Sequence, residues 1–371
     1  MIFHMTSKKP ILLVGNGVRS ANAAGLVYQF IEKTNIPVLT TMNAVDLVQD
    51  EFKIGFIGTY GNRASNMIMQ ECDLVISVGA RLGLRQIGHI KKYFAPKAKL
   101  IRVDIDQYEL GRQIKEDEEK YNLDAKDFLE RLLQEDIPNY SDWWEKCQKV
   151  QQLLDKYDDV EGNKCVKKIA EVLPENPFVA VDVGQNQCWS AQSLRLKGRE
   201  GRIFIGGGYG SMGCGLPFAI GASISRKNEL TFCITGDGGL QMNIQELETV
   251  KREKLPIKIF VLNNNVLGKI SEIQHGSYCD RYAQTTKESG YTVPDFEKIA
   301  QAYGIKAATL STYEELNEYR KWVEDDEPCL FNIMMSEDTL LIPKIKWETC
   351  TIKPDLDQDT LKSVELLLKE G

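Results

Sequence analysis

TGDGGLQMNIQELETVKREKLPIKIFVLNNN, residues 235–265, is the stretch that decides the fold. Asp237 follows a β-like apolar run, Thr231–Thr235, and Asn263 and Asn264 follow a second one, Ile257–Leu262. A helix-like segment lies between them, so the stretch reads strand, helix, strand. A right-handed crossover makes two such strands parallel, with both carboxyl ends on one edge of the sheet. Ligands of open α/β sheets bind outside those ends. Asp237 and Asn264 therefore meet in space although they are far apart in sequence. A carboxylate with an amide oxygen suits a hard cation such as Mg²⁺, which takes further oxygens from water or phosphate. Gly236, Gly238 and Gly239 leave room for backbone N–H groups to approach phosphate oxygens. The residues by themselves predict a Mg²⁺–diphosphate site. A lone GDG is usually a turn and a lone NN usually a strand-end loop, so the reading rests on their combination.

The same alternation runs along the chain. ILLVG (11–15), IPVLT (36–40), DLVISVG (73–79) and KLIRVDI (99–105) read as buried parallel strands, with helices at 20–33 and 62–71. FVAVDVG (178–184), TFCIT (231–235), IKIFVL (257–262), KAATL (306–310) and CLFNIMM (329–335) read likewise, with helices near 163–173, 211–225, 243–253, 294–303 and 312–325. The fold class is α/β, with two Rossmann-like parallel-sheet domains. The expected boundaries are 1–134 for the first domain, 135–162 for a partly helical linker, 163–342 for the second domain and 343–371 for a tail. Asn243 and Glu246 form an N-x-x-E variant of the capping box. Leu240, Ile244, Leu247 and Val250 then share one helix face.

Composition removes several classes. The chain of 371 residues carries a net charge of −7 and no basic block, which argues against a nucleic-acid partner. No run of about 18 apolar residues and no signal peptide stand out, so a cytoplasmic protein without a membrane partner is expected. The nine cysteines are scattered without a C-x-x-C pair and the three histidines are dispersed, which fits reduced thiols and no zinc cluster.

With GDG at 236–238 and NN at 263–264, two further segments carry a resemblance: VDVGQNQCWSAQ (181–192) and GGGYGSMGCGLPFAIGA (206–222). In this order and spacing they resemble the thiamine-diphosphate-dependent enzymes, in particular the acetolactate synthase-like branch, over nearly the whole chain. The resemblance implies thiamine diphosphate (ThDP) and Mg²⁺ as cofactors. It assigns Asp237, the side-chain oxygen of Asn264 and the carbonyl of Val266 to the metal. Gly184, Gln185 and Asn186 fall near the diphosphate, where related enzymes often carry His in place of Asn186. Gly210 and Met212 lie in the segment against the cofactor rings, with Met212 as the apolar wedge that bends the cofactor; in isolation Met212 reads as core packing.

The first domain resembles the middle domain of that branch, which often holds FAD. GNGVRS (15–20), GTYGNR (58–63), GARLGLRQIG (79–88) and VDID (103–106) carry the likeness. Gly15 and Gly17, Arg81 and Arg85 for a pyrophosphate, and Asp104 and Asp106 for a ribose or adenine are the candidate residues. A vestigial domain kept for packing is the other reading. The family's pyrimidine-binding domain, with the glutamate that promotes formation of the reactive carbanion, has no counterpart in these residues. The expectation is a homo-oligomer, a dimer, completed by a separate pyrimidine-domain polypeptide and acting on a small 2-oxo acid by decarboxylation or carboligation. The alternatives are a non-catalytic ThDP-binding or scaffolding subunit, or a truncated reading frame. One departure bears on substrate. Acetolactate synthases carry an apolar residue near Lys269 and a tryptophan near Ile273, so Lys269 is read either as a contact to substrate or as a solvated lysine.

Overall fold

The structure is a computed structural model that describes residues 7–345 and 351–369. The chain forms two compact units, Met1–Asp158 with Ile342–Gly371, and Asp159–Leu341.

The first unit holds a six-stranded parallel sheet: β1 (Pro10–Val14), β2 (Val38–Thr40), β3 (Gly55–Phe56), β4 (Leu74–Val78), β5 (Lys99–Asp104) and β6 (Glu119–Asn122), in the order β3-β2-β1-β4-β5-β6. This is the doubly wound order, whose switch point lies between β1 and β4. Every residue of β1 and β4 is buried, as expected of central strands covered by helices on both faces. The second unit holds β7 (Phe178–Val181), β8 (Arg202–Ile205), β9 (Thr231–Gly236), β10 (Ile257–Asn263), β11 (Lys306–Leu310) and β12 (Cys329–Met334), all parallel, in the order β11-β12-β10-β9-β7-β8. Its chain direction across the sheet reverses between β7 and β9.

Three strands were not legible in the sequence, β3, β6 and β8, and each is a sheet edge. An edge strand has one pairing partner and one solvent side, so its composition need not be apolar. β6, Glu-Lys-Tyr-Asn, is mostly exposed.

The segment 135–162, expected as a linker, is a correction. It contains a helix, Ser141–Asp155, whose Trp143, Cys147, Val150 and Leu154 are buried in the core of the first unit. The helix agrees with the partly helical expectation; its buried stripe was hidden by the polar residues around it. The indole N–H of Trp143 donates to the Pro10 carbonyl at 3.0 Å. The described part of the tail ends in a helix, Gln358–Lys369, which packs against the same helix through Val364 and Leu368. Residues 346–350 and 370–371 of the expected tail lie outside the described residues.

A second correction concerns Asn243. The helix begins at Glu246 after Gln245, with no side-chain cap. The Asn243 amide instead donates to the Gly213 carbonyl at 2.7 Å. Leu240, Leu247 and Val250 are buried as expected, with Ile244 packed against the same core.

Candidate functional site

In the second unit the switch point between β7 and β9 gathers the residues that the sequence singled out. β9 ends in Gly236 and leads directly into a short helix, Asp237–Met242. Leu262 of β10 pairs with Gly236 of β9, so Asn263 and Asn264 emerge beside Asp237. Strand alternation sends the two asparagines to opposite sides. Asn263 donates to Asn332 Oδ1 of β12 at 2.9 Å and accepts the Asn265 N–H at 3.1 Å, a structural clasp. Asn264 turns the other way and donates its amide to Gln185 Oε1 at 3.0 Å, a bond that does not use its Oδ1. The Val266 carbonyl is not taken up by the loop's backbone hydrogen bonds.

Asp237 is buried, and one of its oxygens has no partner. Oδ1 accepts the Gly238 N–H at 2.7 Å, while Oδ2 is enclosed and unpaired. Burial pushes the Asp237 carboxyl up to about 7, against the lowering effect of the N–H groups of Gly238 and Asn265 and of the Tyr291 hydroxyl. A buried carboxylate with an orphan oxygen is costly unless something of opposite charge joins it. The donor set present, Asp237 Oδ2, Asn264 Oδ1 and a backbone carbonyl, is all hard oxygen and fits a Mg²⁺-sized cation.

The other predicted residues are placed as follows. Gln185 opens the helix Gln185–Ser193 after Gly184. It is tied to the loop beyond β10, accepting from Asn264 and donating to Glu272 Oε1 at 2.7 Å and to the Thr339 carbonyl. Asn186 is buried and donates to the Asp182 carbonyl at 2.8 Å. Gly210 is exposed in the loop that follows β8, and Met212 reaches back over the helix start. A Cβ built on Gly238 falls 3.2 Å from Met212 Cε, so the methionine side chain lies against the GDG turn. The Lys269 ammonium donates to the Cys188 thiol at 3.3 Å. A cavity of about 710 Å³ opens beside Gln185 and Val266, lined also by Gly268, Glu272, His275 and Thr339.

Asp182 was missed. It stands one residue past β7, as Asp237 stands past β9, and this shared strand-end position was the available signal. Asp182 is buried; its Oδ1 accepts from Gly213 N–H at 2.9 Å and Val183 N–H at 2.6 Å, and its Oδ2 from the Thr235 hydroxyl at 3.0 Å. Burial raises its pKa against those hydrogen bonds. Asp182 thereby joins β7, β9 and the Met212 loop. It also explains Gly239, where a Cβ would lie 2.8 Å from Asp182 Oδ2.

In the first unit the candidate nucleotide residues lie past the carboxyl ends of β1, β4 and β5. Gly15 and Gly17 pack directly on Gly79; a Cβ on Gly15 would meet the Gly79 carbonyl at 2.0 Å. Their glycines are thus explained by two backbones in contact. Arg81 pairs with Glu109 at 2.7 Å, and Arg85 is exposed. Asp104 Oδ1 accepts the Asp106 N–H, and Asp106 caps the helix Gln107–Gly111. Leu84, Ile105 and Tyr108 are exposed on the same rim.

The second unit is therefore an α/β domain with Asp237, Asn264 and Met212 gathered near its switch point. Residues 182–333 match the C-terminal TPP-binding domain of the thiamine pyrophosphate enzymes and residues 5–132 match their central domain. The chain belongs to the thiamine pyrophosphate enzymes. Its relatives are large subunits of acetolactate synthase. It is 33% identical over 342 residues to the acetolactate synthase isozyme 2 large subunit of Escherichia coli K12, covering 89% of this chain and 60% of that protein. It is 33% identical over 348 residues to a probable acetolactate synthase large subunit of Methanocaldococcus jannaschii, covering 89% and 58%. It is 31% identical over 348 residues to the acetolactate synthase large subunit of Lactococcus lactis, covering 91% and 60%. The chain thus spans about 60% of the length of these curated relatives. Among the described residues, no helix is long and apolar enough to cross a membrane.

Proposed function

We propose that the second unit holds ThDP through a Mg²⁺ ion bound by Asp237, Asn264 and the Val266 carbonyl, in an enzyme that decarboxylates or ligates a 2-oxo acid. The observation that carries this reading is the enclosed Asp237 Oδ2 without a hydrogen-bond partner, on the strand end next to the one that carries Asn264. Bound there, the cofactor supplies the carbon nucleophile and electron sink that 2-oxo acid chemistry needs. The chain's own residues position it: Asp182 fixes the Met212 loop, and Gln185 fixes Asn264. The acid–base glutamate is expected on a pyrimidine-binding domain, carried by whichever segment or polypeptide supplies it. Fully exposed Tyr209, in the loop that carries Met212, fits an assembly surface, as a second copy of this chain would need.

Calorimetric titration of ThDP with Mg²⁺ tests the site. Asn264→Ala should weaken binding by at least the roughly 10–100-fold that even outer-shell partners of a metal contribute. Unchanged affinity would remove Asn264 from the metal. Pyruvate consumption should be absent with the 371-residue chain alone and appear when a pyrimidine-domain polypeptide is added. Sedimentation of the same sample should show a dimer of the chain. Turnover by the isolated chain would mean that the proton relay is filled from within it.

We also propose a nucleotide site on the first unit. The exposed Arg85 and the apolar rim of Leu84, Ile105 and Tyr108 suit a flat aromatic group attached to a pyrophosphate. Purified protein should be yellow or should bind FAD or ADP in a fluorescence titration, and Arg85→Glu should weaken that binding. Colourless protein that binds neither ligand supports a domain kept for packing.

A further inference from the structure

Tyr291 is outside every motif that led to the site, yet its hydroxyl ends there. It lies in the loop before the helix Phe296–Ala302. Its phenol oxygen is enclosed and has no hydrogen-bond partner, the same condition as Asp237 Oδ2. The phenol approaches both Asp237 and the Gln241 side chain: after burial, Asp237 raises the Tyr291 pKa and Gln241 lowers it, while the nearby hydroxyl lowers that of Asp237. Neither Asp237 Oδ2 nor the phenol oxygen reaches full hydrogen-bond geometry with the other or with any other group. A Cβ built on Gly238 falls 3.2 Å from the Tyr291 hydroxyl and 3.2 Å from Met212 Cε, so the phenol, the thioether and the GDG turn converge on one point.

Two orphans of opposite need therefore share one enclosed space. Asp237 Oδ2 calls for a cation and the phenol O–H calls for an acceptor. A divalent cation carrying an anionic oxygen answers both at once. The Gly238 N–H, the donor expected for such an oxygen, is already taken by Asp237 Oδ1, so the phenol is the uncommitted donor beside it. Its position is fixed by the backbone: Tyr291 N–H donates to the Thr286 carbonyl at 2.9 Å. That turn is in turn closed by Ser289, whose hydroxyl accepts the N–H groups of Thr285 and Thr286 at 3.0 and 2.9 Å. A donor held this way loses little freedom when its acceptor arrives.

We propose that Tyr291 is a cofactor-binding residue whose hydroxyl donates to a diphosphate oxygen on the metal that Asp237 holds. The inference rests on the Mg²⁺–diphosphate reading of the second unit and adds to it a ligand contact outside the GDG and NN motifs.

The test compares wild type with Tyr291→Phe in three titrations: Mg²⁺ alone, Mg²⁺ with inorganic pyrophosphate, and Mg²⁺ with ThDP. A hydrogen bond to a charged oxygen corresponds to roughly a ten- to hundredfold change in affinity. That loss is expected for pyrophosphate and ThDP, with Mg²⁺ alone unchanged. The near-ultraviolet difference spectrum of a perturbed phenol should accompany pyrophosphate binding in wild type and vanish in the variant. Thermal unfolding of the metal-free protein provides an independent readout. The hydroxyl has no partner there, so Tyr291→Phe should leave the midpoint unchanged or raise it; a clear fall would mean a structural role and overturn the assignment. Equal affinities in all three titrations, or an equal loss with Mg²⁺ alone, would overturn it too. If wild type binds neither pyrophosphate nor ThDP, the cofactor reading itself fails, an outcome distinct from an unaffected variant.

Discussion

Replacing Asp237 with asparagine should make the metal-free chain more stable at pH 8 while abolishing its affinity for Mg²⁺ and ThDP. The sign follows from the carboxyl's pKa, which rises from 3.8 to about 7 because the group is buried. A raised acid keeps its proton longer in the folded state than in the unfolded one. Stability therefore falls as pH climbs from about 4 to about 7, and stays low above that. Over that interval the full shift corresponds to about 4 kcal/mol, an upper figure given that the site relaxes. Asparagine is neutral at every pH and removes the dependence. Urea unfolding of wild type and Asp237→Asn at pH 5 and pH 8, without metal, measures it. The gap between the two proteins should widen by roughly 1–3 kcal/mol from the lower to the higher pH. A gap that does not change with pH would show that the carboxylate is not destabilised by its surroundings. Saturating Mg²⁺ and ThDP should stabilise wild type at pH 8 through mass action and leave the variant where it was. A residue that costs the empty fold stability and is repaid only by a ligand is what a binding group looks like energetically.

The second large effect is expected at Asp182. Asp182→Ala removes the acceptor of the half-buried Val183 N–H and the buried Gly213 N–H, and one of the two acceptors of the Thr235 hydroxyl, which also donates to the Gly236 carbonyl. Each donor left without a partner costs about 1–3 kcal/mol, so the variant should lose roughly 3–5 kcal/mol. Asp182→Asn keeps the volume and one acceptor oxygen, and should lose about 1–2 kcal/mol. The loss should be visible in function as well. Gly213 is the anchor next to Met212, so releasing it frees the wedge, and ThDP affinity of the folded Asp182→Asn variant should drop while unfolding of the first unit is unaffected. An alanine variant within about 1 kcal/mol of wild type in denaturant unfolding would mean that water or a neighbouring group takes over these donors, and that Asp182 does not organise the site.

Much of this site was open to reading because its parts sit at strand ends. An apolar run followed at once by a polar residue is a local signal, and it placed Asp237, Asn264 and the Val266 turn without any coordinates. The two sheets, their parallel sense and nearly all central strands were accessible for the same reason: a strand buried on both faces must be apolar throughout. Edge strands β3, β6 and β8 escaped because no second neighbour constrains them. The helix Ser141–Asp155 was read as part of a linker and not of the core because its four buried positions are diluted among charged ones, and because the helix that covers it, Gln358–Lys369, comes from the other end of the chain.

Which partner each polar group takes was decided only in three dimensions. The family resemblance implied that Gln185 lies near a diphosphate, and the glycines suggested the same of Gly238; the tertiary structure ties the first to Asn264 and the amide of the second to Asp237. The Asn243 cap became a bond to Gly213, and Lys269 turned to Cys188. Tyr291 carried no sequence signal, since nothing in a loop's composition says where a hydroxyl ends. Local patterns determine what is buried and which way a strand runs, because those depend on a residue and its chain neighbours. Hydrogen-bond pairing depends on distances of a few tenths of an ångström between segments far apart in sequence, and the packed fold alone sets those distances.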